Sequence, residues 1–147
     1  MPFRKVPARD WKVEIETETA GTFQKIEGLT TLTFGSEMTE RDTTDFDSGG
    51  WLERVASSRA NTLTLEGYFQ EDETGARPEG QELVDALGEK VGEESLGNFR
   101  LTSPSGRAIQ FKAIVTPAEV GGGNDDNTSW GAELMVSGKP TPVVPEP

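Results

Sequence analysis

Asn61-Thr62-Leu63-Thr64-Leu65-Glu66-Gly67-Tyr68-Phe69 alternates residue by residue. Leu63, Leu65, Gly67 and Phe69 fall on one side, and Thr62, Thr64, Glu66 and Tyr68 on the other. Successive Cβ atoms leave a strand on opposite sides, so this period of two means a strand with one face buried and one wetted. Trp11-Lys12-Val13-Glu14-Ile15-Glu16-Thr17-Glu18 repeats the pattern nearer the N-terminus. There Trp11, Val13, Ile15 and Thr17 oppose Lys12, Glu14, Glu16 and Glu18. Two such strands, far apart in the chain, point to a β-rich fold.

Between them, Ala20-Gly21 provides a turn, Phe23 to Ile26 reads as a short strand ended by Gly28, and Leu29 to Phe34 as a Thr-rich third strand. Downstream, Asn98 to Ser103 and Ala108 to Thr116 form a hairpin across Ser103–Arg107. Gly121 to Asn127 is a flexible loop. Ser129 to Ser137 is the last strand, with Trp130, Ala132, Leu134 and Val136 inward and Glu133 outward. One segment has helical spacing: in Pro78 to Val91, the residues Leu83, Val84, Leu87 and Val91 share a stripe. Pro78 suits its first turn, Glu79 and Glu82 suit its positive end, and Gly92 suits its C-cap. About seven strands and one helix predict a mainly β (α+β) fold, an antiparallel β-sandwich or partial barrel with one flanking α-helix. Residues 11–137 make the domain, 1–10 an N-terminal arm, and 138–147 a Pro-rich tail expected to be extended or disordered.

Met38 to Gly50 shows no periodicity and reads as a long polar loop. A loop of this length is uncommon in a compact domain unless it has a task.

Composition narrows the chemistry. The chain has no cysteine and no histidine, which removes disulfides, thiolate metal sites, the commonest zinc ligand and the usual general base of a Ser or Cys nucleophile. The net charge is −12, and 9 of the 26 acids lie in Glu71–Glu94 against two bases. Such acidity disfavours stable binding to nucleic acid or an anionic membrane. The start, Met1-Pro2-Phe3-Arg4-Lys5, is too weakly apolar for a signal peptide, so a soluble protein made in a cytoplasm is expected. Asp45-Phe46-Asp47-Ser48-Gly49-Gly50 superficially suggests a calcium loop, but the position of the closing Glu holds Ala56. Gly121-Gly122-Gly123 precedes no helix and cannot cradle phosphate. No pair of carboxylates stands out as a glycosidase pair. No catalytic residue, metal site or cofactor is expected. A hydrophobic fraction of 33% is low for a self-sufficient globule and hints that partner subunits complete its burial. Glu14, Glu16 and Glu18 repel one another on one strand face, so they face water or meet bases from elsewhere. An outer solvated face and the wall of an aqueous channel both satisfy that.

Thr43-Thr44-Asp45-Phe46-Asp47-Ser48-Gly49-Gly50-Trp51, followed by Ala60-Asn61-Thr62-Leu63-Thr64-Leu65-Glu66-Gly67-Tyr68-Phe69, resembles the phage major tail tube protein family. The upstream element Phe23-Gln24-Lys25-Ile26-Glu27-Gly28-Leu29 fits it too, as do the helix and three strands that follow, so the resemblance covers Trp11 to Ser137. It implies a subunit of stacked hexameric rings whose lumen conducts double-stranded DNA during ejection without binding it specifically. It implies further partners, namely a tape measure protein, a tail terminator and distal tail or baseplate proteins, with no membrane. The expected location is the virion tail, assembled in the bacterial host cytoplasm. On this analogy the long loop, through Thr39, Arg41, Asp42, Thr44, Asp45, Asp47 and Trp51, bridges to a neighbouring subunit or ring. Arg4, Lys5 and Arg9 of the arm make similar contacts. Glu14, Glu16, Glu18, Glu66 and Glu133 are the candidate water-facing or lumenal acids. Two alternatives remain: the inner tube of a contractile tail, gene-transfer particle or injection system, and a monomeric β-sandwich carbohydrate-binding module using Trp51 or Trp130.

Overall fold

Leu63 and Leu65 are fully buried while Glu66 and Tyr68 are exposed, as the alternation requires. The computed structural model describes residues 3–143. Its strands are β1 (Lys12–Glu16), β2 (Phe23–Lys25), β3 (Leu29–Asp42), β4 (Arg54–Tyr68), β5 (Gly97–Thr102), β6 (Ala108–Pro117) and β7 (Ser129–Val143). One α-helix, α1 (Glu79–Gly88), follows β4, and short 3-10 turns cover Ala8–Asp10, Phe46–Ser48 and Gly92–Ser95.

All seven strands belong to one antiparallel sheet in the order β2-β1-β5-β6-β7-β4-β3. Its two edge strands, β2 and β3, are consecutive in the chain and joined only by residues 26–28. A connector that short spans little more than ~14 Å, so the sheet curls until its edges approach, giving a partial barrel. The core lies inside the curl: Val13 and Ile15 of β1 meet Leu101 and Phe99 of β5, with Leu63, Leu65, Phe111, Ala113, Trp130, Ala132 and Leu134 beside them. Phe111 contacts the rings of both Phe34 and Phe99. Helix α1 adds Val84 and Leu87 to the same core.

Closure depends on glycine. A Cβ on Gly80 of α1 would overlap the Lys25 carbonyl oxygen, and one on Gly67 would overlap that of Gly28. Backbones therefore pack directly against the β2–β3 connector. Gln81, fully buried, donates from Nε2 to the carbonyls of Glu27 and Tyr68, both at 2.9 Å.

Several expected boundaries move. The long loop placed at Met38–Gly50 is β3 as far as Asp42, then a hairpin tip over residues 43–53. Both faces of that part of β3 are exposed, so it carries no hydrophobic alternation to reveal a strand. The last strand runs on to Val143, where Gly138–Pro147 was expected to be a Pro-rich tail, extended or disordered. Val143, Pro142 and Thr141 pair with Ala108, Ile109 and Gln110 of β6. Residues 144–147 of the expected tail lie outside the described residues. Helix α1 stops at Gly88, short of Val91, which is exposed. Its last amides turn back to Ala86 and Leu87, and Gly92, at φ +72°, opens a 3-10 turn and caps nothing.

Candidate assembly surfaces

The outward face of β3, β4, β7 and β6 is a polar wall assembled in lateral rows. One row runs Thr33, Thr64, Glu133, Thr116 across the four strands, and its neighbours run Gly35, Thr62, Met135, Ile114 and Thr31, Glu66, Gly131. Most of these side chains are small or hydroxyl-bearing, so the wall is shallow. Glu66 and Glu133 are exposed and diagonal to each other, about 7–8 Å apart by sheet geometry. Two like charges at that separation are tolerable only in water.

The other three expected water-facing acids are elsewhere. Glu14 and Glu16 lie on β1, in the opposite half of the curled sheet. Glu14 is held by Arg100, whose Nη2 donates to Oε2 at 2.9 Å, and by Thr102 Oγ1 at 3.2 Å; the Glu14 side chain is only 16% exposed. The Arg100 guanidinium also covers the Phe23 ring at 4.3 Å. Glu16 accepts from Asn98 Nδ2 at 3.0 Å and from the Gly21 amide at 3.3 Å. Glu18 has left the strand for an exposed bend. The row read as one wetted face is therefore two paired carboxylates and one loop residue. Neighbouring β5 supplies Arg100 and Asn98, which no pattern within β1 could announce.

Beyond the pair Thr62–Met135, β4 leaves β7 and, among the described residues, keeps only β3 as a partner. Ser36–Asn61 thus projects as a bare two-stranded ribbon. Its stem holds Thr39, Arg41 and Asp42 on β3, with a register shift between Thr39 and Glu40 and an exposed Arg54–Glu40 ion pair at 3.4 Å. Its tip is locally well tied. Asp45 caps the Phe46–Ser48 turn, accepting from the Asp47 amide at 3.0 Å, while Ser48 Oγ accepts from the Asp45 amide at 3.1 Å. The Thr43 amide donates to Glu53 O at 2.9 Å, and Thr44 Oγ1 accepts from the Glu53 amide at 2.8 Å. Gly49 and Gly50 take positive φ, which turns the chain back. The Asp42 carboxyl is held below its ordinary pKa by the Thr44 hydroxyl and then by the Thr44 amide, 2.8 Å away. Phe46 is fully exposed, Trp51 79% and Leu52 68%. Trp51 was expected to take part in bridging to a neighbouring subunit or ring, and it stands exposed on the tip. Phe46 and Leu52 on the tip and Met38 and Val55 on the stem are exposed apolar side chains that were not among the expected residues, although apolar residues stranded in a polar segment were a readable signal.

Arg4 and Lys5 lie in the exposed N-terminal stretch, and Arg9 lies in the 3-10 turn that follows. With Trp11, Lys25, Leu29 and Thr30, Arg9 lines a groove of about 430 Å³ along the start of β3. Among the described residues no cluster of three or more Asp and Glu could hold a metal ion, and no helix is long and apolar enough to cross a membrane.

Sequence reading also missed the anchor of α1. Asp85 Oδ2 accepts from Arg77 Nη1 at 2.7 Å and Oδ1 from the indole of Trp130 at 3.0 Å. The Arg77 guanidinium lies 4.3 Å from the Phe69 ring centroid. This binds the helix to the strands behind the polar wall.

A curled sheet with a shallow polar wall, a bare ribbon and a basic N-terminal stretch defines a structural subunit shaped by its outer surfaces. The family model of the phage tail tube protein matches residues 8–142, and the chain belongs to that family. The fold agrees with solved tail structures. Against the tail of an empty gene transfer agent particle, refined helically with C6 symmetry, the TM-score is 0.75 at 19% identity, covering 95% of this chain and all of that one. Against the SPP1 tail tube it is 0.70 at 14% identity, covering 94% and 78%. Against the anti-feeding prophage baseplate it is 0.63 at 10% identity, covering 97% of each. Compared by sequence with curated proteins, the chain finds no match.

Proposed function

We propose that six copies of this chain close into a ring, that rings stack into a tail tube, and that the outward face of β3, β4, β7 and β6 lines the bore. The observation that carries this reading is that wall: a continuous, shallow, four-stranded polar face bearing Glu66 and Glu133, beside the bare ribbon. Among the described residues the outer edge of β3 has no strand partner, and β3 contains no proline, which leaves it able to pair with a neighbour. The sixfold count is borrowed from the C6 gene transfer agent tail.

The dimensions agree. Six sets of four strands, spaced ~4.8 Å and tilted ~40°, give a backbone cylinder about 50 Å across. Inward side chains reach ~5 Å from each wall, leaving a bore of about 40 Å. That clears a B-form duplex with water on all sides. DNA carries one charge per ~1.7 Å of axis, and a wall on which Glu66 and Glu133 outnumber the exposed Lys112 of β6 offers it little counterion release, so the duplex passes without being held. Glu14 and Glu16, paired to β5, take no part in that wall.

In the virion the tube would surround a tape measure protein and end against a tail terminator and distal tail or baseplate proteins. Assembly would take place in the host cytoplasm. The test is electron microscopy of the purified protein: rings and tubes are expected at high concentration. A population that stays monomeric even with its tape measure protein present rejects the reading.

A further inference from the structure

We infer that the polar wall carries a docking step for an amphipathic α-helix laid along the bore, formed by Met135 and Ile114 with Glu133 on one side and Lys112 on the other. This rests on the tube reading and goes beyond it, by naming side chains that would hold a protein helix inside the bore. Across the lateral rows of the wall, Met135 and Ile114 are the two large apolar side chains. They stand directly opposite each other on β7 and β6, and both are exposed. Their row-mates Gly35 and Thr62 are short, so the apolar pair rises above its surroundings.

The charges around the pair are ordered. Glu133 precedes Met135 by two residues on β7, and Lys112 precedes Ile114 by two on β6, opposite Ser137. The two strands are antiparallel, so the acid lies on one side of the pair and the base on the other. Glu66, diagonal to Glu133, reinforces the acidic side. All three charged side chains are exposed, and among the described residues none is ion-paired. A duplex presents phosphate at every level and gains nothing from an apolar pair. A helix has the matching pattern. From Glu133 to Ser137 is ~13 Å at ~3.3 Å per residue, which a ~40° tilt shortens to ~10 Å along the axis. Helix positions i, i+4 and i+7 share a face and span about 10.5 Å. A base, an apolar residue and an acid at those positions meet Glu133, the Met135–Ile114 pair and Lys112 in turn. Met135 suits such a seat, because an unbranched thioether adapts to differing apolar partners. A second copy of the chain cannot be the occupant, since in a closed ring every copy contributes wall and none enters the bore.

The test mixes purified tubes with a fluorescent synthetic helix of about 28 residues, long enough to be helical alone. It carries Lys, Leu and Glu at i, i+4 and i+7 in each heptad, and binding is read by co-sedimentation. The helix should sediment with native tubes. Met135→Thr with Ile114→Thr should weaken binding at least about tenfold, as loss of a central apolar anchor does. Thermal unfolding of that subunit should be unchanged, because both side chains are exposed and threonine suits a strand. Lys112→Glu should change the preference, favouring a helix with Lys in place of its Glu over the original. Undiminished binding to the double-threonine tubes, or an unchanged preference at Lys112→Glu, overturns the inference. So does a short DNA duplex that sediments with native tubes as well as the helix does. Labelling separates this failure from failure of the tube reading, because the chain has no cysteine of its own and Thr33 is exposed on the same wall. If Thr33→Cys reacts with a maleimide in tubes as it does in the free subunit, yet the helix stays in solution, the inference alone falls. If tubes shield that cysteine, the wall does not line the bore and both fall.

Discussion

Replacing Asp85 by alanine tests whether α1 is fastened to the wall strands as described. The substitution removes a charge-assisted bond from Arg77 at 2.7 Å and a neutral bond from the Trp130 indole at 3.0 Å. A hydrogen bond to a charged group contributes ~1.5–3 kcal/mol. Here it falls toward the lower end, because the Arg77 and Asp85 side chains are 18% and 35% exposed and water screens the pair. Trp130 is 2% exposed, so its N–H would lose its acceptor in a dry place, at a cost of ~1–3 kcal/mol. Together the loss is about 2–4 kcal/mol, or a melting temperature roughly 5–15 °C lower for a chain of this size. Asp85→Asn should fall between, since its carbonyl still serves the indole while its amide faces the guanidinium. Adding Arg77→Met to Asp85→Ala should destabilise less than the sum of the two single changes, because the partners act on each other. Thermal and urea unfolding of the unassembled subunit, followed by circular dichroism, measures all four. A loss below 0.5 kcal/mol for Asp85→Ala would refute the fastening.

Gly80→Ala sets two effects in opposition. Helix propensity favours alanine by ~1 kcal/mol, while the new Cβ would overlap the Lys25 carbonyl oxygen and sit 2.8 Å from Ile26 Cα, an overpacking that costs ~1–3 kcal/mol. Packing should win, so the melting temperature should fall, and a rise would contradict the close approach. Asp72 is held below the ordinary aspartate value of 3.8 by the Thr74 hydroxyl and then by the Ala76 and Thr74 amides. A depressed carboxylate stabilises its loop above that ordinary value and loses the effect as pH falls through its own lower one. The Thr74 and Ala76 amide resonances should therefore titrate with midpoints under 3.8, and midpoints at or above it would count against these bonds. Replacing residues 43–53 by Asn-Gly should leave the melting temperature nearly unchanged, because the tip touches none of the core, yet should abolish tubes; normal tubes would remove the ribbon from assembly. Glu66→Lys with Glu133→Lys should still assemble but slow DNA ejection, and unimpaired ejection would argue against an acidic bore.

Legibility followed burial. Strands with one buried face, such as Val13–Ile15 and Leu63–Leu65, announced themselves by period two, and the stripe of Val84 and Leu87 announced the helix. The outer part of β3, Met38 to Asp42, was misread as loop, and Arg54 to Ala60 of β4 was assigned no element, because neither face is buried there. Hydrophobic alternation records burial, and a ribbon exposed on both faces leaves no such trace. Position on a strand placed Glu66 and Glu133 correctly on an exposed face. It left Glu14 between water and a base from elsewhere, because pairing with Arg100 depends on which strand lies alongside. The fasteners Gln81 and Asp85 sat among exposed-looking helix polars. Only the folded arrangement shows that they meet the carbonyls of Glu27 and Tyr68 and the Trp130 indole.

The decisive measurement is a cryo-EM reconstruction of tubes formed by this chain. The expected map shows six subunits per ring, with Glu66 and Glu133 pointing toward the axis and Glu14, still paired with Arg100, pointing away from it. A map in which the Glu14–Arg100 face lines the bore, or in which the β3–β4 wall is buried against another layer, would contradict the account.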